Sequence, residues 1–384
     1  MHSVANAAAS RVAKKPSPGP CRGSRPQSNS CPIKQLIVFL VQKKIYDEAI
    51  EHKGADMASR YVICARDWKK TGEPGTEPGA TTYLEIPGKG DIHKKYALNR
   101  KDWLAKLSAA AETGKDEQGY TVGNVLIFIH GYNNNPPEVL KRHDLLQNGL
   151  WKYGYEGEVV SFDWPSGDWM LNYLEDRVDA KTTAMQLVSD GILPLAYSQK
   201  YQDETKCDIS VHLLGHSTGA YVIREAFDDA DDRSISSINW TVNQLALIGA
   251  DVSARSMQAG NPESESLYRH AHRITNYSSP YDNALQVSNI KRAGVAPRAG
   301  RVGLPDDAPA SAVNIDCGLH WKKNWDGKTN KQTGVPGNLS HSWHFGDATF
   351  MQDLALTLIG QIDRHSFPTR IAGERGLVLS TSKA

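Results

Sequence analysis

Five consecutive residues, Gly215-His216-Ser217-Thr218-Gly219, constrain this chain more than any other feature. They stand between an apolar run, Ile209-Ser210-Val211-His212-Leu213-Leu214, and a helix-like stretch, Ala220-Tyr221-Val222-Ile223-Arg224-Glu225-Ala226-Phe227. A strand that enters a helix through a single serine turns so tightly that side chains two residues to either side would clash. Glycine at both places removes the clash and tolerates the strained backbone. The serine hydroxyl is then held out at the carboxyl end of the strand, beside a helix N-terminus that favours negative charge. G-x-S-x-G in a strand–turn–helix setting is the pattern of a nucleophile elbow. A chance turn is the competing reading, and the flanking elements weigh against it.

The neighbouring segments fit that setting. Val125-Leu126-Ile127-Phe128-Ile129 is apolar at consecutive positions, as expected of a strand covered on both faces. Similar segments follow at Val159-Val160-Ser161-Phe162, at 209–214 and at Leu245-Ala246-Leu247-Ile248, with helix-like stretches at 137–152, 170–190 and 218–230. Such alternation predicts an α/β fold: a mostly parallel central sheet flanked by helices on both faces. Strands are also expected at Leu36-Ile37-Val38-Phe39-Leu40, Thr81–Ile86, His272–Tyr277 and Ala312–Ile315, with helices over 100–112 and 347–363. Gly72–Gly79 reads as a loop. No internal repeat is visible. One domain over 35–365 is expected, between a basic tail over 1–34 and a C-terminal tail over 366–384.

Composition narrows the function classes. A formal net charge of +1 over 384 residues argues for neither nucleic acid nor an anionic membrane as partner. No run approaches the roughly eighteen apolar residues of a membrane span. Cys21, Cys31, Cys64, Cys207 and Cys317 are scattered, odd in number and without C-x-x-C spacing. They read as free thiols, with neither a disulfide framework nor a structural zinc site. Residues 1–46 hold eight Lys or Arg and no Asp or Glu, without an apolar h-region. A disordered solvated tail is the preferred reading and a transit peptide the alternative. A cytoplasmic location is expected, and no cofactor or metal.

A serine needs a base, an acid to orient that base, and donors for the developing oxyanion. For the base, His341 is preferred, with His344 and His320 as alternatives. The i, i+3 spacing of His341 and His344 lacks the glutamate of an H-E-x-x-H zinc motif. For the acid, Asp282 directly follows the strand at 272–277, and Asp251 is the alternative, although a post-strand aspartate is more commonly a cap. The oxyanion donors are expected to be the backbone N–H of Thr218 and that of Tyr132, in the loop His130-Gly131-Tyr132-Asn133-Asn134-Asn135. Trp164, just past a strand end, lines a pocket or packs beneath the sheet edge.

Taken together, these motifs resemble a bacterial family of α/β-hydrolases without established function, domain of unknown function 900. The likeness runs over about 36–360. It rests on Ile129-His130-Gly131-Tyr132-Asn133, Phe162-Asp163-Trp164-Pro165-Ser166-Gly167, Tyr173–Arg177, Val211–Gly219, Ser278–Leu285 and His341-Ser342-Trp343, in that order. It implies an α/β-hydrolase fold with Ser217, Asp282 and His341 as a triad, and it implies no substrate. Thr218 stands where the family often has methionine. The stretch 318–340 is longer than usual and reads as a flap or lid. The expected function is a serine hydrolase acting on a small-molecule ester, thioester or related acyl bond. An acyltransferase with the same triad and a non-catalytic scaffold are the alternatives.

Overall fold

The computed structural model describes residues 59–167, 183–200, 207–232, 240–286, 297–374 and 376–380. All of them belong to the compact unit Lys43–Ala384. Consecutive apolar residues become strands here because each face of the sheet meets its own core. Along β5 (Thr121–Ile129), Val125, Ile127 and Ile129 enter one buried cluster while Leu126 and Phe128 enter another. The same division separates Leu245 and Leu247 from Ala246 and Ile248 in β8 (Val242–Ile248). With side chains alternating at period two, only a doubly covered sheet can bury every residue of such a run.

Among the described residues twelve strands form the sheet, in the order β11-β12-β10-β9-β8-β7-β5-β6-β1-β2-β3, with β4 paired to β5. Besides β5 and β8 they are β1 (Arg60–Trp68), β2 (Pro74–Ile86), β3 (Ala97–Leu98), β4 (Glu112–Lys115), β6 (Glu158–Asp163), β7 (Cys207–His216), β9 (Ala271–Ser278), β10 (Ala312–Asp316), β11 (Arg370–Gly373) and β12 (Gly376–Leu379). The run from β1 through β6, β5, β7, β8, β9 and β10 to β12 is parallel throughout. The helices Arg100–Ala111, Leu193–Lys200, Thr218–Asp232 and Pro262–His270 cover one face. The helices Pro136–Lys152 and Ala348–Ile359 cover the other, with Trp321, Trp325 and Trp343. Among the described residues no helix is long and apolar enough to cross a membrane.

Several expectations are corrected. The Gly72–Gly79 stretch is not all loop, because β2 begins at Pro74 and pairs antiparallel with β1, a strand the sequence reading passed over. Asp67 carries this: its carboxylate accepts from Glu77 N at 3.0 Å across a shifted register. The segment 366–384 is not a tail throughout. Its β11–β12 hairpin extends the sheet from β10, and Arg370 makes a buried bidentate contact with Asp353 at 2.6 and 2.8 Å. The stretch 318–340 is anchored in the core without being buried throughout: Trp321 and Trp325 are buried, and Trp325 Nε1 donates to Asp347 Oδ2 at 2.6 Å, while most of the other residues are exposed. A helix over 262–270 was not expected. The strand at 36–40, the tail over 1–34, the motif at 173–177 and most of the helix at 170–190 lie outside the described residues; Thr183–Lys200 is helical, with a π-helical turn at Leu187–Ile192.

Candidate active site

Neighbouring parallel strands β5, β7, β8 and β9 end together: Ile129 pairs with Gly215, His216 with Ile248, and Ile248 with Tyr277. The segments that follow therefore converge at one edge of the sheet, where open α/β sheets bind ligands. Ser217 follows β7 with φ +56°, one of two non-glycine residues with positive φ among the described residues. Its strain is held by hydrogen bonds on both sides: Ser217 N donates to Ile248 O at 3.0 Å, and Ser217 O accepts from Ala220 N and Asp251 N, each at 3.1 Å.

The glycines around it have separate reasons. A Cβ on Gly215 would stand 2.9 Å from Ala220 Cα, in the first turn of the following helix. One on Gly219 would stand 2.2 Å from Ile129 O, at the end of β5. One on Gly131 would stand 2.7 Å from Ser217 Cβ. After β8, Gly249 (φ +52°) leaves room for a different pair, since its Cβ would lie 2.9 Å from His341 Cε1 and 3.2 Å from Asp282 Oδ2.

That pair is the closest titratable contact at the site. His341 Nδ1 lies 2.6 Å from Asp282 Oδ2, both residues being buried. With Nδ1–H donating to the carboxylate, Nε2 is left as the acceptor of the neutral ring. Asp282 is fixed in turn: its Oδ1 accepts from Leu285 N at 3.0 Å, and its carbonyl accepts from Arg301 Nη1 at 2.6 Å. Ser340 Oγ accepts from Asn283 N at 3.1 Å and so ties the two loops together. His216, the variable residue before the serine, packs on His341 with ring centroids 4.6 Å apart and donates from Nε2 to His341 O at 3.2 Å. Burial, with His341 and Arg142 nearby, holds its pKa well below the usual histidine value.

Ser217, His341, Tyr132, Thr218, Gly131, Asp251 and Arg142 line one cavity of about 440 Å³. The other sequence candidates have different surroundings. Asp251 reaches the cavity, but its Oδ1 is ion-paired with Arg298 Nε at 3.0 Å. His320 contacts Asp347 Oδ2 at 2.9 Å, outside the cavity lining. His344 is buried against Trp343 and Phe350, neither ring nitrogen meets a hydrogen-bond partner of good geometry among the described residues, and burial lowers its pKa to about 3. Trp164 is packed beneath the sheet edge: it stacks on His130 and donates from Nε1 to His130 O at 2.9 Å.

The loop after β5 is held from behind. Gly131 O accepts from Asn134 Nδ2 at 2.7 Å and lies 2.9 Å from His130 Nδ1. In a planar trans peptide the N–H of the next residue points the opposite way, here that of Tyr132. The carbonyl of Ser217, bonded to Ala220 and Asp251, orients the N–H of Thr218 by the same rule. Beneath the loop, Arg66 donates from Nε to Asp163 Oδ1 at 2.9 Å and from Nη2 to Asn134 O at 3.1 Å. Burial disfavours the Asp163 carboxylate, yet the charge and hydrogen bond of Arg66, with His130 beside them, together keep its pKa below the ordinary value. Burial likewise lowers the pKa of His130. Neutral His130 donates from Nδ1 to Gly131 O and accepts Trp164 N–H at Nε2, so the 3.3 Å approach of Asp163 to Nε2 is not a hydrogen bond.

Sequence reasoning missed Arg142, His216, Gly249 and the Arg66–Asp163 support. Only the last had a usable signal, an Asp at the end of an apolar strand. Arg142 looks like any polar residue of an amphipathic helix until the helix is docked.

A family model described as an alpha/beta hydrolase of unknown function (DUF900) matches residues 106–313. Tyr132, Ser217, Thr218 and Asp282 fall within the match, and His341 follows it. Solved structures with similarity include a protein from Lactobacillus plantarum WCFS1 described as a cell surface hydrolase, 14% identical, with TM-score 0.30, covering 62% of this chain and 92% of that one. Another is the carboxylesterase CesB (YbfK) from Bacillus subtilis, 9% identical, with TM-score 0.30, covering 84% and 99%. No curated protein sequence matches. The order and direction of the strands, with helices on both faces, make this the α/β-hydrolase fold.

Proposed function

Since the chain belongs to the alpha/beta hydrolase family of unknown function (DUF900), matched over more than half of its 384 residues, we propose that it is a serine hydrolase of ester, thioester or related acyl bonds. The observation that carries this reading is the 2.6 Å contact of His341 Nδ1 with Asp282, beside a positive-φ serine that lines the same cavity as His341. Ser217 Oγ attacks the acyl carbonyl while His341 Nε2 takes its proton. Asp282 holds the ring's tautomer and stabilises the imidazolium as it forms. The N–H groups of Tyr132 and Thr218 receive the oxyanion. His341 then returns its proton to the leaving group, and a water activated by the same base releases the acyl chain.

A fluorophosphonate, followed by peptide mapping, tests this. Labelling is expected at Ser217 and absent in Ser217→Ala, with turnover of a short p-nitrophenyl ester falling on the order of 10⁶-fold. Ester turnover at the wild-type rate in Ser217→Ala would falsify the assignment.

A further inference from the structure

The cavity wall carries a charge for which the proposed chemistry has no use. Arg142, on the helix Pro136–Lys152, is 3% exposed and lines the cavity together with Ser217 and His341. Its guanidinium is positioned on several sides. It lies over the Phe345 ring at 5.5 Å, and Nη2 donates to Pro336 O at 3.3 Å. Gly337 keeps clear of it, since a Cβ there would stand 2.7 Å from Nη2. The remaining nitrogens, Nε and Nη1, are buried and have no hydrogen-bond partner among the described residues.

The nearby carboxylates do not neutralise it. Glu138, one turn earlier and also at the cavity, is more exposed; its charge favours the protonated guanidinium, but the two are not within ion-pair distance. Asp251 is paired with Arg298, and Asp282 with His341. The other titratable groups at this wall, His216 and His341, bring no negative charge. A buried cation with no ion pair among the described residues is costly to hold. A guanidinium offers a planar fork of donors that matches a carboxylate or phosphate.

We propose that Arg142 binds an oxyanionic group of the substrate, so that the cavity takes small acyl esters bearing a carboxylate or phosphate in preference to neutral ones. This rests on the serine-hydrolase reading for turnover, while binding of the anion itself does not. At about 440 Å³ the cavity is at the small end of ligand sites, which suits a short acyl group spanning from the serine to the guanidinium.

The test compares two p-nitrophenyl esters of equal size, the hemisuccinate and the 4-methylpentanoate, after subtraction of spontaneous hydrolysis. In the wild type, kcat/KM for the hemisuccinate is expected to exceed that for the neutral ester by at least about tenfold, and the excess to shrink as salt is added. Arg142→Gln should lower this ratio at least about tenfold, whatever it does to turnover itself, and Arg142→Lys should restore part of it. Because Arg142 also holds Pro336 near His341, the ratio, and not the rate, is the readout. A wild-type ratio of one or less, or an unchanged ratio in Arg142→Gln, overturns the proposal. If neither ester is turned over above the Ser217→Ala level, the hydrolase reading fails and calorimetric titration decides alone. Succinate or inorganic phosphate binding to the wild type but not to Arg142→Gln supports the anion site, and the stronger of the two identifies the preferred group. Binding of neither overturns it.

Discussion

Acid should unfold this protein well before its carboxylates protonate, because three histidines are buried in neutral form. Burial lowers His143, His212 and His344 each from the ordinary value of 6.5 to about 3; Arg60 adds to the effect at His143, and His341 at His344. In the unfolded chain these rings take up protons as pH falls through 6.5, whereas in the folded protein they stay neutral until about 3. The unfolded state thus binds more protons through this window, so stability is full above it and is lost progressively as pH falls. At pH 5 each ring accounts for about 2 kcal/mol, and the three together for about 6 kcal/mol. His130 and His216, also shifted down by burial, act in the same direction. Against a typical total of about 5–15 kcal/mol, that is enough to bring the fold near its limit. Urea unfolding at pH 7.5 and pH 5.0 measures the loss. His344→Phe isolates one share: among the described residues the ring has no hydrogen bond of good geometry to lose, and it sits among Trp343 and Phe350, so about 2 kcal/mol of the acid loss should disappear. If the variant and the wild type lose the same free energy between these two pH values, the reasoning from burial is wrong.

Other outcomes follow from the site and its supports. Asp282→Asn should leave the fold intact and lower ester turnover by about 10⁴-fold near neutral pH, because the amide favours the wrong tautomer of His341; a loss below tenfold would assign Asp282 a merely structural part. Gly219→Ala places a methyl 2.2 Å from Ile129 O, so the elbow must open. Fluorophosphonate labelling should drop at least a hundredfold, and labelling at the wild-type rate would show that the turn tolerates a side chain. Removing residues 366–384 strips Asp353 of Arg370 and Thr369 and leaves it only Tyr277 of those partners. That should cost about 3–5 kcal/mol, read as a lower melting temperature, and an unchanged midpoint would mean that the hairpin is dispensable.

The elbow and the paired runs of apolar residues were legible in the sequence because they are local. Gly215 records a turn whose sterics involve the helix that follows it, Gly219 repeats the pattern although the atom it clears, Ile129 O, belongs to another strand, and a run such as Val125–Ile129 records burial on both faces whatever lies there. Ser217, Asp282 and His341 could be placed in order along the chain and preferred, but His320, His344 and Asp251 stood as alternatives. Only the packed structure separates them: His320 meets Asp347, His344 is enclosed by aromatic rings, Asp251 meets Arg298, and Gly249 clears space for His341 beside Asp282. The same holds for the C-terminal strands, too short to announce themselves until β10 offers an open edge and Asp353 a buried charge for Arg370 to meet. Arg142 is the clearest case. In the sequence it is one arginine of an amphipathic helix, and its lack of an ion pair among the described residues exists only once the helix is docked beside the loop that carries His341. A local constraint is written in neighbouring residues; a pairing, or its absence, depends on groups far apart in the chain, and the fold alone brings them together.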